Sequence, residues 1–364
     1  MSGPLDGLLV VDLSRMLPGA VLSRQLLDLG ARVVKVEEPT GDPMRLAPPH
    51  VDGVGAGFAA LLRGAESACL DLRDAADADV VRRLASRADV LVESFRPGTL
   101  DRWGLGEDRL RDRNSALVWC SLSSFGTGEE VRSRVAHDLN VAASTGLLEL
   151  LGGGVPRVQV ADVATGLLAA SAVLAALLER VRSGRGRRLD QPVVSGVLPF
   201  LTWGLADAAV GGGSDALDGL LAGRAPSYRI YRCADGQELA VAALEPKFWA
   251  RLVELLDRPA LAAVWLDTGP EGDEAGRQLQ DVFASRPRRE WLDLLQGLPV
   301  SAVHEAASEE AVATLRGAGL VEDGVPGPWL PGVGTTPERP APKLGEHTDA
   351  IRAEVEALGP ELGR

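Results

Sequence analysis

An alternation in the first third of the chain constrains its fold more than any other feature. Short apolar, β-branched runs stand at 7–14 (GLLVVDLS), 32–37 (RVVKVE), 68–72 (ACLDL), 89–95 (DVLVESF) and 117–125 (LVWCSLSSF). Between the first two lies VLSRQLLDLGA, with apolar residues at helical spacing and Gly30 where a helix stop belongs. Strands separated by crossover helices pair in parallel, so the class is α/β with a Rossmann-like sheet.

Two long helices are expected next, at about 137–151 and 162–183, followed by the basic turn RSGRGRR. From about 225 a second unit begins with YRIYRCADGQELAVAAL, a hairpin signal with Asp235 and Gly236 at its turn, and the helical stretch EPKFWARLVELL follows. This unit reads as a smaller α+β domain. The tail from 332 is a Pro-rich linker leading to a short helix.

Composition narrows the function classes. The chain has 364 residues and a net charge of −13, with its Lys and Arg dispersed, which argues against a nucleic-acid partner. An acidic protein that binds a polyanion needs a few local arginines instead. The N-terminus has no signal-peptide pattern. The longest apolar run, Val163–Leu178, falls short of the ~20 residues that span a bilayer and reads as a buried helix, so no membrane partner is expected. Cys69, Cys120 and Cys233 have neither disulfide-framework nor zinc spacing, which fits a reducing cytoplasm.

Glu37 ends the second strand and invites a dinucleotide reading. The loop SRMLPGAVL has one glycine and a proline where G-x-G-x-x-G is required, so NAD and FAD are not expected.

Seven segments, DLSRMLPGAVLSRQLLDLGARVVKVEEPTGD, LVESFRPGTLDRWGLG, SLSSFGTG, AHDLN, ADVATGLLAASAVLAALLER, LEPKFW and APKLGEHTDAI, stand in an order that resembles the family III CoA-transferase superfamily, which includes the α-methylacyl-CoA racemases. The resemblance covers nearly the whole chain. It implies an interlocked, ring-shaped homodimer and an acyl-CoA substrate. It also implies a large domain from 1–190 and 332–364, connecting helices over 191–224 and a small domain over 225–331. Coenzyme A arrives as part of the substrate, and no separate cofactor or metal is implied.

The same resemblance assigns roles. ADVATG puts Asp162 at the family's catalytic aspartate, beside the unpaired N–H groups and positive dipole end of the long helix. AHD puts His137 at the racemases' second base, and transferases often carry a tyrosine there; imidazole titrates near neutrality and suits proton transfer. Asp138 reads as the cap of its helix. LEPKFW puts Glu245 where a glutamate orients the histidine, as in a triad. ESFRPG and LDLR match segments lining the CoA nucleotide site, giving Arg96, Pro97, Gly98, Leu72 and Arg73.

Some positions depart from the pattern: Glu38 stands where the racemases carry a phosphate-binding arginine, for which Arg45 is the expected substitute, and Val141, Ala164 and Thr165 alter the acyl pocket. Racemisation of a 2-methylacyl-CoA is the first expectation. A CoA transferase with Asp162 as nucleophile is the second, with VGGGSD at 210–215 as its glycine-rich loop, and a binding protein that has lost the chemistry is the third.

Overall fold

The structure is a computed structural model that describes residues 3–126, 128–131, 134–211, 219–322, 325–337 and 339–357. The candidate loop at 210–215 lies mostly outside the described residues.

Six strands form the main sheet: β1 Leu9–Asp12, β2 Arg32–Glu37, β3 Glu66–Cys69, β4 Val90–Glu93, β5 Val118–Ser123 and β6 Arg188–Pro192. All neighbours are parallel and the order is β3-β2-β1-β4-β5-β6. The order reverses between β1 and β4, and a crevice opens at the carboxyl edge of such a sheet at that point. Alternate residues of β1 serve two cores. Val10, Val33, Val90 and Val118 pack against helices α1 (Leu17–Asp28) and α6 (Val160–Ser183) on one face. Val11, Val34 and Leu91 meet α2 (Ala75–Ala85) and the C-terminal helix Thr348–Ala357 through Ile351 and Val355 on the other. Burial on both faces is what a parallel sheet requires.

Three local expectations need correction. The basic turn leads directly into β6, an edge strand whose charged Arg188 and Asp190 gave no strand signal. The helix expected over 137–151 is two short ones, α4 Asp138–Thr145 and α5 Leu147–Leu150, because Gly146 takes a left-handed φ of +85° between them. The helix expected from 162 begins at Val160, which puts Asp162 in its first turn rather than ahead of it.

Helix α6 has 24 residues and is long and apolar enough by composition to cross a membrane. Half of its most apolar window is buried in the protein, where Ala169, Ala170 and Val173 pack in the core with α1. The two helices approach closely at Gly166, where an added Cβ would lie 2.6 Å from both the Pro18 carbonyl oxygen and Val21.

The chain divides into two units, Met1–Phe200 with Leu315–Arg364, and Leu201–Thr314. Re-entry into the first unit thus begins near 315, ahead of 332. There the tail is tied down by Thr335 N–H to the Asp28 carbonyl (2.6 Å) and His347 N–H to the Ser67 carbonyl (2.9 Å). The second unit holds an antiparallel sheet, β7 Tyr228–Arg232, β8 Glu238–Ala242 and β9 Val300–Ala302, in the order β9-β8-β7. Its core is built on Tyr231, Trp249, Phe283 and Trp291.

Candidate active site

The first unit carries two groups of candidate residues at the carboxyl edge of its sheet. One is the His137–Asp162 pair. Just after β5 the Ser124 hydroxyl donates to the Ala136 carbonyl (3.0 Å), which ties the residue ahead of His137 to the end of the strand. His137 then stands at the N-cap of α4, exposed, with its N–H donating to Asn140 Oδ1 at 3.1 Å. Asp162 lies in the first turn of α6. The start of α6 is tied to the segment that follows β6, since the Thr165 hydroxyl donates to the Ala161 (2.8 Å) and Val193 (3.1 Å) carbonyls. At Gly196 a Cβ would stand 2.3 Å from that hydroxyl, so only glycine permits the approach.

Asp138 links the two helices. Its buried carboxylate does not cap its own helix; Oδ1 accepts the N–H of Asp162 at 3.0 Å and so satisfies an open donor of α6. That N–H is therefore not among the unpaired donors expected at the start of the long helix. The electrostatic consequence falls on Asp162, whose carboxyl is pushed up to about 6. Burial is the main cause and the Asp138 carboxylate adds to it, while the charge of nearby His137 pulls the other way. The site thus joins an exposed imidazole to a carboxyl poised between its two protonation states near neutral pH, a combination suited to moving protons.

The second group lines a cavity of about 210 Å³ over the ends of β1, β2, β3 and β4, floored by Leu13, Leu70 and Leu72 and walled by Phe95 and Trp103. Phe95 and Trp103 meet edge to face with centroids 5.3 Å apart. Leu72 and Arg73 are in the lining, and Arg96, Pro97 and Gly98 follow Phe95 directly, with Gly98 left-handed at φ +77° ahead of α3 (Thr99–Arg102).

Arg45 requires correction. Its guanidinium is buried, donates to both oxygens of Glu37 (2.7 Å each) and to the Pro342 carbonyl (3.0 Å), and stacks on Phe58. It is occupied inside the fold and supplies no phosphate contact.

Sequence reasoning missed Arg15 and Lys35, which also line the cavity. Arg15 pairs with Glu38. Lys35 is buried between Asp12 (3.3 Å) and Asp42 (3.4 Å). A lysine in the middle of an apolar strand is the signal that was available.

Glu245 belongs to the second unit, exposed at the N-cap of α7 (Pro246–Leu255), with no side-chain capping bond. Among the described residues no group of three or more His, Cys, Asp or Glu side chains is arranged to hold a metal ion.

The sequence profile of CoA-transferase family III matches residues 5–348. The chain is 32% identical over 376 residues to alpha-methylacyl-CoA racemase of Homo sapiens, covering 96% of this chain and 93% of that protein. It is 30% identical over 377 residues to acetyl-CoA:oxalate CoA-transferase of Acetobacter aceti, covering 98% and 96%. Among solved structures, a CAIB/BAIF family protein from Brucella suis superposes with a TM-score of 0.84 at 30% identity, covering 98% of this chain and all of the other.

Proposed function

The chain belongs to CoA-transferase family III, and from that premise we propose that it racemises 2-methylacyl-CoA thioesters. Enzymes of this family include both racemases and CoA transferases. The observation that carries the racemase reading is the placing of His137 and Asp162 at the starts of two helices that Asp138 links, with burial pushing the Asp162 carboxyl up to about 6.

Inversion at a carbon next to a thioester needs two bases on opposite faces. One takes the α-proton, and the C–H electron pair moves into an enolate whose charge rests on the thioester oxygen. The conjugate acid of the other base returns a proton to the opposite face, and the next turnover runs with the roles exchanged. Asp162 suits this exchange because neither of its protonation states is remote at cellular pH. His137 is the partner base. Glu245 enters by resemblance alone, as the carboxylate that orients the imidazole. The cavity lined by Leu72 and Arg73 takes the nucleotide of the substrate, and no further cofactor is invoked.

The test is proton NMR in heavy water with each enantiomer of a 2-methylacyl-CoA. Loss of the α-proton signal from both is expected, and its persistence in both overturns the proposal. A variant probes the electrostatics: Asp138→Asn keeps an acceptor for the Asp162 N–H and leaves its burial in place but removes the charge that adds to the rise of the carboxyl. The acid limb of the pH–rate profile, expected near 6 in the wild type, should move to lower pH.

Transfer of CoA through an Asp162 anhydride is the second reading, favoured by the oxalate CoA-transferase among the relatives. Under that scheme hydroxylamine added during turnover labels Asp162, and under the racemase scheme it does not.

A further inference from the structure

One residue between β1 and α1 holds a backbone conformation that only glycine takes without strain: Met16, with φ +68° and ψ −169°. The loop that carries it is clamped at three consecutive residues. The Ser14 carbonyl accepts from buried Lys35, the Arg15 N–H donates to the Ser94 hydroxyl at 2.9 Å, and the Met16 N–H donates to Asp42 Oδ2 at 3.3 Å. Asp42 is itself held, 3.4 Å from Lys35 and with its own N–H donating to Glu37 Oε2 at 3.0 Å. Beyond the loop, the Met16 carbonyl accepts the Ala20 N–H at 3.3 Å. Strain of this kind persists where the surroundings over-determine it. Packing does not account for it, because Met16 is 39% exposed and joins none of the apolar cores. The loop instead fixes an apolar side chain outward. Arg15, one residue earlier, lines the cavity assigned to the nucleotide. Helix α1 follows β1 and α6 leads into the parallel strand β6, so both helices start at the carboxyl edge of the sheet and run the same way. They are level where Gly166 meets Pro18 and Val21. One turn earlier on the same face of α6 is Asp162, and the residues ahead of Pro18 are Leu17 and Met16. Met16 therefore stands between the nucleotide cavity and the Asp162 carboxyl.

Resting on the racemase reading given above, we propose that Met16 is the specificity-determining residue for the group carried on Cα. Its side chain stands against the α-carbon beside Asp162, leaves room for a methyl substituent and excludes a longer branch. A thioether is apolar and unbranched, so it packs on aliphatic groups without imposing a polar partner. The clamped backbone makes it a fixed gauge, since Cβ cannot swing aside without breaking the contacts to Ser94 and Asp42.

Exchange of the α-proton in heavy water, measured on the full chain with 2-methylhexanoyl-CoA and 2-propylhexanoyl-CoA, tests this. The wild type is expected to favour the methyl compound in kcat/KM by about tenfold or more, the discrimination that extra methylenes meet in a closed pocket. Met16→Ala and Met16→Gly should each narrow that ratio by about tenfold, since both remove the gauge. The two variants differ in strain: glycine relaxes the backbone and alanine does not, so Met16→Gly should melt at a higher temperature than Met16→Ala. A wild type that exchanges both thioesters equally well overturns the proposal while leaving the racemase reading intact. So does an unchanged ratio in Met16→Ala, which would trace selectivity to the backbone and not the side chain, and so does a Met16→Gly variant that melts no higher than Met16→Ala. Failure of the wild type to exchange either thioester overturns the racemase reading and this proposal with it.

Discussion

Asp162→Asn is expected to lower α-proton exchange from the enantiomer whose α-proton faces Asp162 by roughly 10³-fold, within the range that a positioned proton carrier supplies, and at the same time to make the protein more stable at neutral pH. Both effects have one cause. Burial and the Asp138 carboxylate raise the Asp162 carboxyl from 3.8 to about 6, so ionising it costs more in the folded chain than in the unfolded one. For a carboxyl raised on folding, stability is fully present below the unfolded value and is lost as pH climbs from about 4 to about 6, after which the loss is constant. Asparagine never ionises. The variant should therefore match the wild type near pH 4 and exceed it at pH 7 by about 2 kcal/mol, a figure reduced for the partial exposure of the side chain. Thermal unfolding at the two pH values, set beside the exchange rate at pH 7, checks the pairing. Reduced stability at pH 7 would show that the carboxylate is held favourably, and Asp162 would then lose its claim to be a proton carrier.

His137→Gln has a different expected signature. Inversion should fall by ~10² to 10⁴, since one of two bases is gone. Proton removal from the face served by Asp162 should persist, so one enantiomer continues to exchange with retention of configuration while the other becomes inert. His137 is exposed at the N-cap of α4, where its N–H donates to Asn140 Oδ1 and its side chain meets the Asn140 N–H in a capping box; the glutamine side chain keeps an acceptor for that N–H, so the helix start should survive the change. Chiral separation of the substrate after incubation in heavy water distinguishes the enantiomers. Equal loss of exchange from both would assign the histidine a role other than that of a base on one face.

The parts of this molecule legible in its sequence are those governed by local pattern. Strands β1 to β5 show as apolar runs because both of their faces are buried, and Asp235–Gly236 shows as a turn because Gly236 must take a φ of +77°. Asp162 and His137 are candidates through the resemblance of ADVATG and AHD, not through any local pattern. What stayed hidden depends on pairs brought together by the fold. Asp138 looks like a cap for its own helix until the start of a helix 24 residues away is placed beside it. Arg45 looks like a free cation until Glu37 is seen to hold it. The edge strand β6 pairs on one side only and carries charge, so hydropathy does not reveal it.

The central claim is that an imidazole and a carboxyl act on one carbon from opposite faces, and its most direct test is the stereochemical course from a single enantiomer. Incubated in heavy water as the pure S form of a 2-methylacyl-CoA, the enzyme should yield the R form with deuterium at Cα from the earliest time points. Deuterium appearing only in unconverted S substrate, or CoA passing to an added carboxylic acid with no exchange at Cα, would contradict the account.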